Sequence, residues 1–288
     1  LVVRRVSSNG EMSEPIIFTN GDKRFIRRPQ LLVNDKNELF MIVQLANQKG
    51  GGGTQTILEG HVDVIKISED GRVLSQYVLM SERKFYPGLR AEINQDSKGG
   101  AYVMLRSGIS TAHQYVYHFN SDGVPDTPEA DIRPDGYRGV IASKTVVCPG
   151  NDQLFVLTIE KINNKCSLSA NSVDLEGKVL WGDQGVTLLD CPDGAMLSTS
   201  IFKAMALKDK SVYISFLYQP IGKYDLLYGM TMYPDGTASE PEAVLEVDRI
   251  ISSGGTSDCE FALIDGCLRH IWYNMSEQRF MGYLQEVE

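Results

Sequence analysis

The side chains best suited to chemistry are charged and aromatic residues near the starts of short apolar runs. The candidates for ligand binding are Arg27, Arg28, Arg90, Tyr137, Arg138, Lys203 and Tyr224. The candidates for proton transfer, if the protein is an enzyme, are Glu92, Asp258 and Glu260. Arginine binds carboxylate or sulfate oxygens through paired hydrogen bonds, and a buried carboxyl group can act as an acid or a base. The alternative is that these charges pair with one another across a channel.

The elements that must position these residues belong to a repeated unit. Five short turns of one kind each follow an apolar or alternating run and precede another extended run. The turns end at Gly10, Gly71, Gly123, Gly177 and Gly236. A module of strands that recurs at roughly 50 to 60 residues is typical of a β-propeller.

Each complete copy of the unit contains four predicted strands, which we name A, B, C and D. The runs are rich in β-branched and aromatic residues, and Gly, Asp or Asn lies between them. The predicted strands are 30–33, 39–44, 61–67 and 76–79; then 90–94, 101–106, 115–120 and a weak strand toward Ile132; then 144–148, 154–160, 166–173 and 186–189; and last 203–207, 212–218, 226–233 and 243–247. We therefore predict an all-β propeller of four-stranded blades, with a β-sandwich as the alternative.

The two ends of the chain contain incomplete copies. Residues 1–18 form half a unit, and residues 260–286 supply three further strands. Pairing of the N-terminal and C-terminal strands would complete a blade and close the ring, which removes exposed strand edges. We predict a single propeller domain over residues 1–288 with five blades. Six blades remain open because one strand is surplus.

The lengths of the connections indicate which face carries function. In a propeller the A–B and C–D turns lie on one face, and the D–A and B–C connections lie on the other. The first set is short here and the second set is long. The long connections cover residues 45–60, 80–88, 131–139, 190–199 and 248–257. Binding residues concentrate on long loops of a rigid scaffold, so we predict the site on the D–A/B–C face.

Composition excludes several partners. The chain has 288 residues and a net charge of −9, and its basic residues form no tract, which argues against nucleic acid. No apolar run approaches the roughly 18 residues of a membrane helix, so we expect no membrane insertion. The first residue is Leu1, so we expect a processed or trimmed chain whose leader is not visible. We expect a monomer.

Metal, cofactor and disulfide signals are weak in this sequence. The four histidines show no HxH or HExxH spacing, so we predict no catalytic metal and no cofactor. Structural calcium, held by loop carboxylates and carbonyls, stays open. The five cysteines are odd in number and lack paired CxxC spacing, which favours free or buried thiols. A bridge between Cys259 and Cys267 is not favoured.

Two segments of the first copy resemble sialidase-type propellers. Residues 25–32 (FIRRPQLL) followed by 35–40 (DKNELF) look like the opening Arg-x-Pro strand of that family. Residues 63–71 (DVIKISEDG) resemble the segment that leads to its Ser-x-Asp-x-Gly boxes. In that family an arginine triad holds the substrate carboxylate, and a Tyr–Glu pair and an Asp perform the chemistry. By motif, the resemblance assigns Arg27 to the triad.

A second resemblance covers more of the chain. Residues 95–103 (QDSKGGAYV) and 174–186 (DLEGKVLWGDQGV) are similar to repeats in secreted and cell-surface propellers of Bacteroidetes-type bacteria. This resemblance implies a secreted, cell-surface or periplasmic location.

Two functions follow from these observations. The first is a non-enzymatic extracytoplasmic propeller that binds a glycan or protein ligand through its D–A/B–C face. The second is a glycan-processing enzyme, a sialidase-like glycoside hydrolase or a polysaccharide lyase, that acts on an acidic sugar. The sequence favours the first and leaves open whether the protein is an enzyme.

Overall fold

The structure is a computed structural model, and the chain divides into two compact units. The described residues are 1–7, 9–18, 25–48, 58–79, 84–85, 90–107, 113–127, 129–132, 140–148, 152–163, 165–219, 226–246, 259–264, 267–274 and 279–286. Unit 1 is Leu1–Asp135 with Leu175–Gly177, and unit 2 is Gly136–Asp174 with Lys178–Glu288. The single domain over residues 1–288 stays a prediction.

Unit 1 contains a short hairpin and two sheets. The hairpin pairs β1 (Val2–Val3) with β2 (Ile16–Ile17). Blade 1 consists of β3 (Phe25–Val33), β4 (Leu39–Gln48), β5 (Leu58–Ile67) and β6 (Val73–Leu79), and β7 (Lys84–Phe85) also pairs with β5. Blade 2 consists of β8 (Arg90–Gln95), β9 (Ala101–Ser107), β10 (His113–Phe119) and β11 (Ala130–Asp131).

Unit 2 contains two four-stranded sheets and one three-stranded sheet. Blade 3 consists of β12 (Val140–Cys148), β13 (Gln153–Ile162), β14 (Lys165–Val173) and β15 (Val186–Asp190). Blade 4 consists of β16 (Met196–Ala206), β17 (Val212–Gln219), β18 (Leu226–Met232) and β19 (Glu242–Glu246). The last sheet contains β20 (Cys259–Ile264), β21 (Cys267–Asn274) and β22 (Arg279–Glu286).

This architecture confirms an all-β, propeller-like fold of four-stranded antiparallel sheets. In every blade the strands pair in chain order as a meander, as the repeat predicts. All the predicted strands are present, with ends that differ by up to seven residues, and β7 is an additional strand. No helix in the described part of the chain is long and apolar enough to span a membrane.

The repeated turns have the backbone geometry that their glycines predict. All five glycines have positive φ, between 76° and 90°, where a side chain would be strained. In the turn between β5 and β6, the amide of Gly71 donates to the carbonyl of Ser68, and the amide of Ser68 donates to the carbonyl of Arg72. This is the three-residue hairpin loop that ends in a glycine bulge. It joins neighbouring strands with a short connection.

The core of unit 1 follows from strand alternation. Val62 and Val64 of β5 belong to a buried cluster shared with β9 and β10 of blade 2. Ile65 and Ile67 pack instead with Val3 of the N-terminal hairpin. Successive side chains of a strand point to opposite faces, so blade 1 is buried on both faces. Each fully buried aliphatic side chain contributes about 1.5 to 3 kcal/mol.

Candidate functional site

The predicted site residues fall into three groups in the structure. Glu92 on β8 and Lys203 on β16 are both half-buried, and they belong to different units. Four others are placed by their backbone only: Arg27 and Arg28 lie in β3, Arg90 in β8 and Glu260 in β20. The last four, Tyr137, Arg138, Tyr224 and Asp258, lie outside the described residues. The ring of cations and carboxylates at one mouth therefore stays a prediction.

The first strands of three blades carry an interruption near their N-terminal ends. The pairing shifts between Arg27 and Gln30 in β3, between Val140 and Ala142 in β12, and between Ser198 and Phe202 in β16. A β-bulge bends a strand and changes the direction of its side chains, and bulges are common beside active sites. The irregular end of each of these strands is the end that the D–A connection enters.

The two long connections of blade 1 meet at one end of its sheet. Strand β7 lies in the D–A connection after β6, and its Phe85 pairs with Leu58. Leu58 is the first residue of β5, directly after the B–C connection. Lys84 pairs with Glu59 in the same ribbon. Within blade 1, the structure thus places a D–A and a B–C connection on one side, as the connection lengths predict.

A histidine and a buried aspartate lie close to this ribbon on β5. Nε2 of His61 lies 3.0 Å from Oδ1 of Asp63, and the two side chains are 17% and 4% exposed. Nε2 of Gln76, on β6, donates to Oδ2 of Asp63 at 2.8 Å. Because strand residues two apart point to the same face, His61 and Asp63 share one side of β5. The carboxylate is anchored on β6, and the imidazole is reachable from outside.

This arrangement suits proton transfer. A carboxylate beside an imidazole can hold the ring in one orientation, and here Oδ1 of Asp63 lies 3.0 Å from Nε2 of His61. Histidine is the usual side chain for such transfer near neutral pH. The partly exposed ring and the anchored acid give His61 the layout of a general base.

A second histidine occupies the equivalent place in the next repeat. Nδ1 of His113, the first residue of β10, lies 3.0 Å from Oδ2 of Asp131 on β11. The His113 ring stacks on Tyr115 with 5.6 Å between ring centroids. The side chains of His113 and Asp131 are 31% and 26% exposed, so this pair lacks the buried acid of the His61 pair. The His113 ring therefore lies beside a partly exposed acid, whereas the His61 ring lies beside a buried one.

Sequence reasoning missed the His61–Asp63 pair because it searched for metal spacings, HxH and HExxH. The available signal is an HxD step on a predicted strand, because alternation places both side chains on one face. Repeat alignment is a second signal, since Gly71 and Gly123 bring His61 and His113 into register. Neither signal reveals that Gln76 anchors the carboxylate.

The opposite ends of blades 1 and 2, at the short turns, contain buried charge pairs. In blade 1, Nζ of Lys66 lies 2.7 Å from Oε2 of Glu38, and the Lys66 side chain is only 4% exposed. Lys66 also donates to the carbonyl of Ser121 in blade 2. Burial alone would raise the pKa of Glu38, but the hydrogen bonds from Lys66 and Asn34 outweigh it and lower that pKa.

In blade 2 a histidine replaces the lysine. His118 is buried, its Nε2 lies 2.8 Å from Oδ2 of Asp96, and its Nδ1 lies 2.7 Å from Oδ1 of Asp126. Burial would lower the pKa of His118, but the two carboxylates outweigh it and raise that pKa. These three residues line a cavity of about 480 Å³. Among the described side chains, no three His, Cys, Asp or Glu residues converge as metal ligands.

No protein-family model matches the chain, and no curated protein matches it in sequence. Several solved structures are similar. A protein of unknown function from Dyadobacter fermentans is 12% identical with a TM-score of 0.55, and the match covers 94% of this chain and 81% of that one. A polysaccharide lyase of family PL25, an ulvan lyase, is 9% identical with a TM-score of 0.53, and the match covers 90% and 70%. The same lyase was also solved bound to -[GlcA(1-4)Rha3S]-, with 8% identity and a TM-score of 0.53.

These likenesses show the fold and correct the functional prediction. We expected a non-enzymatic propeller that binds a glycan or protein ligand, and that prediction is wrong. The similar structures with an assigned activity include a polysaccharide lyase, which favours the alternative of a glycan-processing enzyme. The reason for the error is that the sequence search weighed metal spacings and the charges at first strands, and it passed over the HxD step at His61 and Asp63.

Proposed function

We propose that the protein is a polysaccharide lyase that cleaves an acidic glycan, with His61 and Asp63 as its proton-transfer pair. One observation carries the proposal: a partly exposed imidazole lies 3.0 Å from a buried carboxylate that Gln76 anchors. A hydrolase of the common type needs two carboxyl groups that flank the scissile bond. The described site instead offers one histidine with one supporting acid, which suits elimination better than hydrolysis.

Elimination from an acidic sugar needs three things. A base removes the proton on the carbon beside the sugar carboxylate, a cation neutralises the charge that develops on that carboxylate, and the leaving sugar oxygen gains a proton. The electron pair of the broken C–H bond forms a carbon–carbon double bond as the bond to the leaving oxygen breaks. In this proposal His61 is the base and water protonates the leaving oxygen, because alternation turns both His61 and Glu92 away from the core that blades 1 and 2 share.

Arg27 is the predicted cation nearest to the pair in the sheet. Arg27 of β3 pairs with Gln44 of β4, and Gln44 pairs with Val62, the residue between His61 and Asp63. Neighbouring strands are spaced by about 4.8 Å, so the backbones of Arg27 and Val62 are about 10 Å apart. The bulge that begins after Arg27 lies at this position. Directly opposed residues share a face of the sheet, so this register puts Arg27 in the row of Val62 and not in the row of His61 and Asp63, and the proposal leaves the cation unassigned.

The remaining predictions are consistent with this proposal. The fold likeness to a lyase solved with -[GlcA(1-4)Rha3S]- supports an acidic glycan as the ligand. We further propose one ring of five blades closed by the N-terminal and C-terminal strands, a monomer, and a location outside the cytoplasm. Four complete meanders, a terminal hairpin and a terminal three-stranded sheet support the blade number.

The test is an assay on a panel of uronate-containing and neutral polysaccharides. A lyase produces an unsaturated sugar that absorbs ultraviolet light, whereas a hydrolase produces reducing ends without that absorbance. We expect ultraviolet-absorbing product from at least one acidic polysaccharide and none from neutral ones. Reducing ends without absorbance would overturn the lyase proposal, and no product from any acidic polysaccharide would overturn the enzyme proposal.

Two matched histidine variants test the assignment of the base. His61→Gln should lower kcat by about 100-fold or more, because loss of a general base typically costs that much. His113→Gln changes the equivalent residue of the next repeat and should retain kcat. A His61→Gln protein that is folded and fully active would contradict the role of His61, and equal losses in both variants would point to a structural effect.

A further inference from the structure

Two buried cysteines lie directly opposite each other at the outer edge of blade 3. Ser167 of β14 pairs with Asp190, the last residue of β15, so the next rung of the ladder brings Cys166 opposite Cys191. The amide of Cys191 donates to the carbonyl of Cys166 at 3.0 Å, which shows that the pairing continues past the end of β15. Both cysteines are free thiols in the structure.

The two thiols point into the same core. Cys166 and Cys191 are 1% and 0% exposed, and both belong to the buried cluster of unit 2 that contains Leu168 and Ala170. Directly opposed residues of an antiparallel pair have Cα atoms about 4.5 to 5.5 Å apart and point to one face. A disulfide requires Cα atoms about 4.4 to 6.8 Å apart. The ladder therefore holds the pair within bonding range.

We propose that Cys166 and Cys191 are a disulfide site that closes when the chain folds in the presence of a small-molecule disulfide such as oxidised glutathione. One cysteine thiolate attacks a sulfur of oxidised glutathione, and a mixed disulfide forms as one glutathione leaves. The second cysteine thiolate then attacks the protein sulfur, and the second glutathione leaves. Two electrons pass to glutathione, and the two cysteine protons end on the two glutathione thiols.

The position of the two cysteines means that the bond fastens the outermost strand of blade 3. Strand β15 is the outermost strand of blade 3, and its pairing with β14 is broken by a bulge between Leu168 and Ser169. Cys191 begins the D–A connection that leads to β16 of blade 4. A bond to Cys166 ties this edge strand and the start of that connection to the middle of the blade. The connection lies on the predicted functional face, but the disulfide does not depend on the proposed activity.

Burial determines when the bond can form. Desolvation, together with the neighbouring Cys166 and Asp190, raises the pKa of Cys191 to about 12, so the folded protein holds almost no thiolate there. Oxidised glutathione must reach the pair while the chain folds or while β15 is open. Oxidation should therefore be fast during folding and slow afterward.

Cys148 provides a matched control within the same core. It is fully buried like the pair, but its Sγ donates to the carbonyl of Lys210 at 3.1 Å. Burial, with a smaller effect of Asp209, raises the pKa of Cys148 to about 11. It therefore shares the burial of the pair without a cross-strand cysteine on its ladder.

The experiment refolds the full chain with reduced and oxidised glutathione and maps disulfides by mass spectrometry of unreduced peptides. We expect one linked peptide that joins Cys166 to Cys191, in the wild type and in Cys148→Ser. The oxidised wild type should melt about 5 °C above its reduced form, because a closed loop of this size stabilises the fold. Cys191→Ser and Cys166→Ser should each abolish the linked peptide and the shift in Tm.

Three results would overturn the proposal. The first is refolded wild type in which both cysteines remain free thiols at the highest ratio of oxidised to reduced glutathione that permits folding. The second is a dominant bond to Cys148 or Cys267. The third is a linked peptide in the wild type with no change in Tm between the oxidised and reduced forms. Because every readout is a bond or a melting temperature, the result is independent of whether the lyase proposal holds.

Discussion

Nε2 of His118 lies 2.8 Å from Oδ2 of Asp96, and this contact ties the third strand of blade 2 to the turn between its first two strands. The other carboxylate oxygen, Oδ1, accepts hydrogen bonds from the backbone amides of Lys98 and Gly100. Burial alone would raise the pKa of Asp96, but the hydrogen bonds from His118 and these amides lower it. The pair therefore closes the turn and holds both charges inside the blade.

Blades 1 and 3 make the same connection with different side chains. In blade 1, Lys66 of β5 binds Glu38, which follows the turn after β3. In blade 3, the amide group of Gln153 donates to the hydroxyl of Ser172 on β14. Because a contact at this place in the repeat recurs in blades 1, 2 and 3 between different types of side chain, we interpret it as structural. His118 is thus a stabilising residue rather than a catalytic one.

The first prediction concerns the pH dependence of stability. Asp96 has a lowered pKa in the folded protein. Its contribution to the free energy of unfolding is therefore present above pH 3.8, the ordinary pKa of the group, and is lost as the pH falls through the pKa of the folded protein. His118 has a raised pKa in the folded protein. Its contribution to the free energy of unfolding is therefore present below pH 6.5, the ordinary pKa of the group, and is lost as the pH rises through the pKa of the folded protein. The free energy of unfolding should therefore be highest between these limits.

Urea denaturation of the wild type and of His118→Gln across this pH range measures the effect. The difference in unfolding free energy between the two proteins should be largest from about pH 4 to 6.5 and should shrink on either side. A difference that stays constant with pH would show that the charge of His118 contributes nothing.

The second prediction compares the two acids that contact His118. Asp96 has a side chain 1% exposed, whereas the Asp126 side chain is 39% exposed. Asp96→Asn should cost about 2 to 3 kcal/mol, because it removes a buried partner of a buried cation. Asp126→Asn should cost less than about 1 kcal/mol, since water screens that pair. Equal losses for the two variants in urea denaturation would contradict this ranking.

The third prediction concerns the buried lysine of blade 1. Lys66→Met should lower the free energy of unfolding by about 2 to 3 kcal/mol, because it leaves Glu38 and the carbonyl of Ser121 without their cation. The loss stays below that of a fully buried pair, since the Glu38 side chain is 20% exposed and keeps a hydrogen bond from Asn34. Thermal and urea denaturation measure it.

The control for this variant is an exposed lysine with the same kind of partner. Nζ of Lys165 lies 2.7 Å from Oδ2 of Asp190, but these side chains are 47% and 57% exposed. Lys165→Met should leave the unfolding free energy unchanged within error, since exposed ion pairs contribute little. If Lys66→Met behaved in the same way, the inferred role of Lys66 would be wrong.

The fourth prediction separates crowding from backbone strain at two glycines. A Cβ atom at Gly100 would lie 2.3 Å from the carbonyl oxygen of Phe119 and 2.6 Å from Oδ2 of Asp96. Gly100→Ala must therefore move β10 or expel Asp96 from His118, and it should cost about 3 kcal/mol or more. Gly10 has open space around its Cβ position but a φ of 86°. Gly10→Ala should cost only about 1 to 2 kcal/mol.

Urea denaturation of the two alanine variants tests this ranking. In Gly100→Ala the pH dependence described for His118 should also weaken, because the carboxylate of Asp96 is displaced. A milder effect at Gly100 than at Gly10 would mean that the backbone near Phe119 yields easily.

Much of the fold was predictable from local patterns in the chain. Positive φ at Gly71 and Gly123 follows from the turn sequence, and the strands around them follow from alternation of apolar residues. The pairing of Ile264 with Cys267 also follows from the expected two-residue turn, and it leaves Cys259 opposite Trp272. Strand β7 was not predicted, since two residues within a long connection carry too little periodicity to be recognised.

The candidate site was much less predictable. Glu92 was chosen for its place near the start of a first strand, and the structure places it there, half-buried on β8. The structure adds His61 and Asp63, which the sequence search had passed over. Gln76 lies beyond a turn, and nothing in the local sequence shows that it reaches Asp63.

By itself, the sequence determined the repeat, the meander of strands and the end of the sheet to which long connections belong. These properties depend on residues that are neighbours in the chain, where glycine conformation and two-residue alternation act directly. Only the tertiary structure decided which distant side chains meet, as when His118 contacts Asp96 or Cys191 lies opposite Cys166. The reason is that those distances depend on strand register, on bulges and on the packing of one blade on the next. Each of these results from many weak contacts that no short motif encodes.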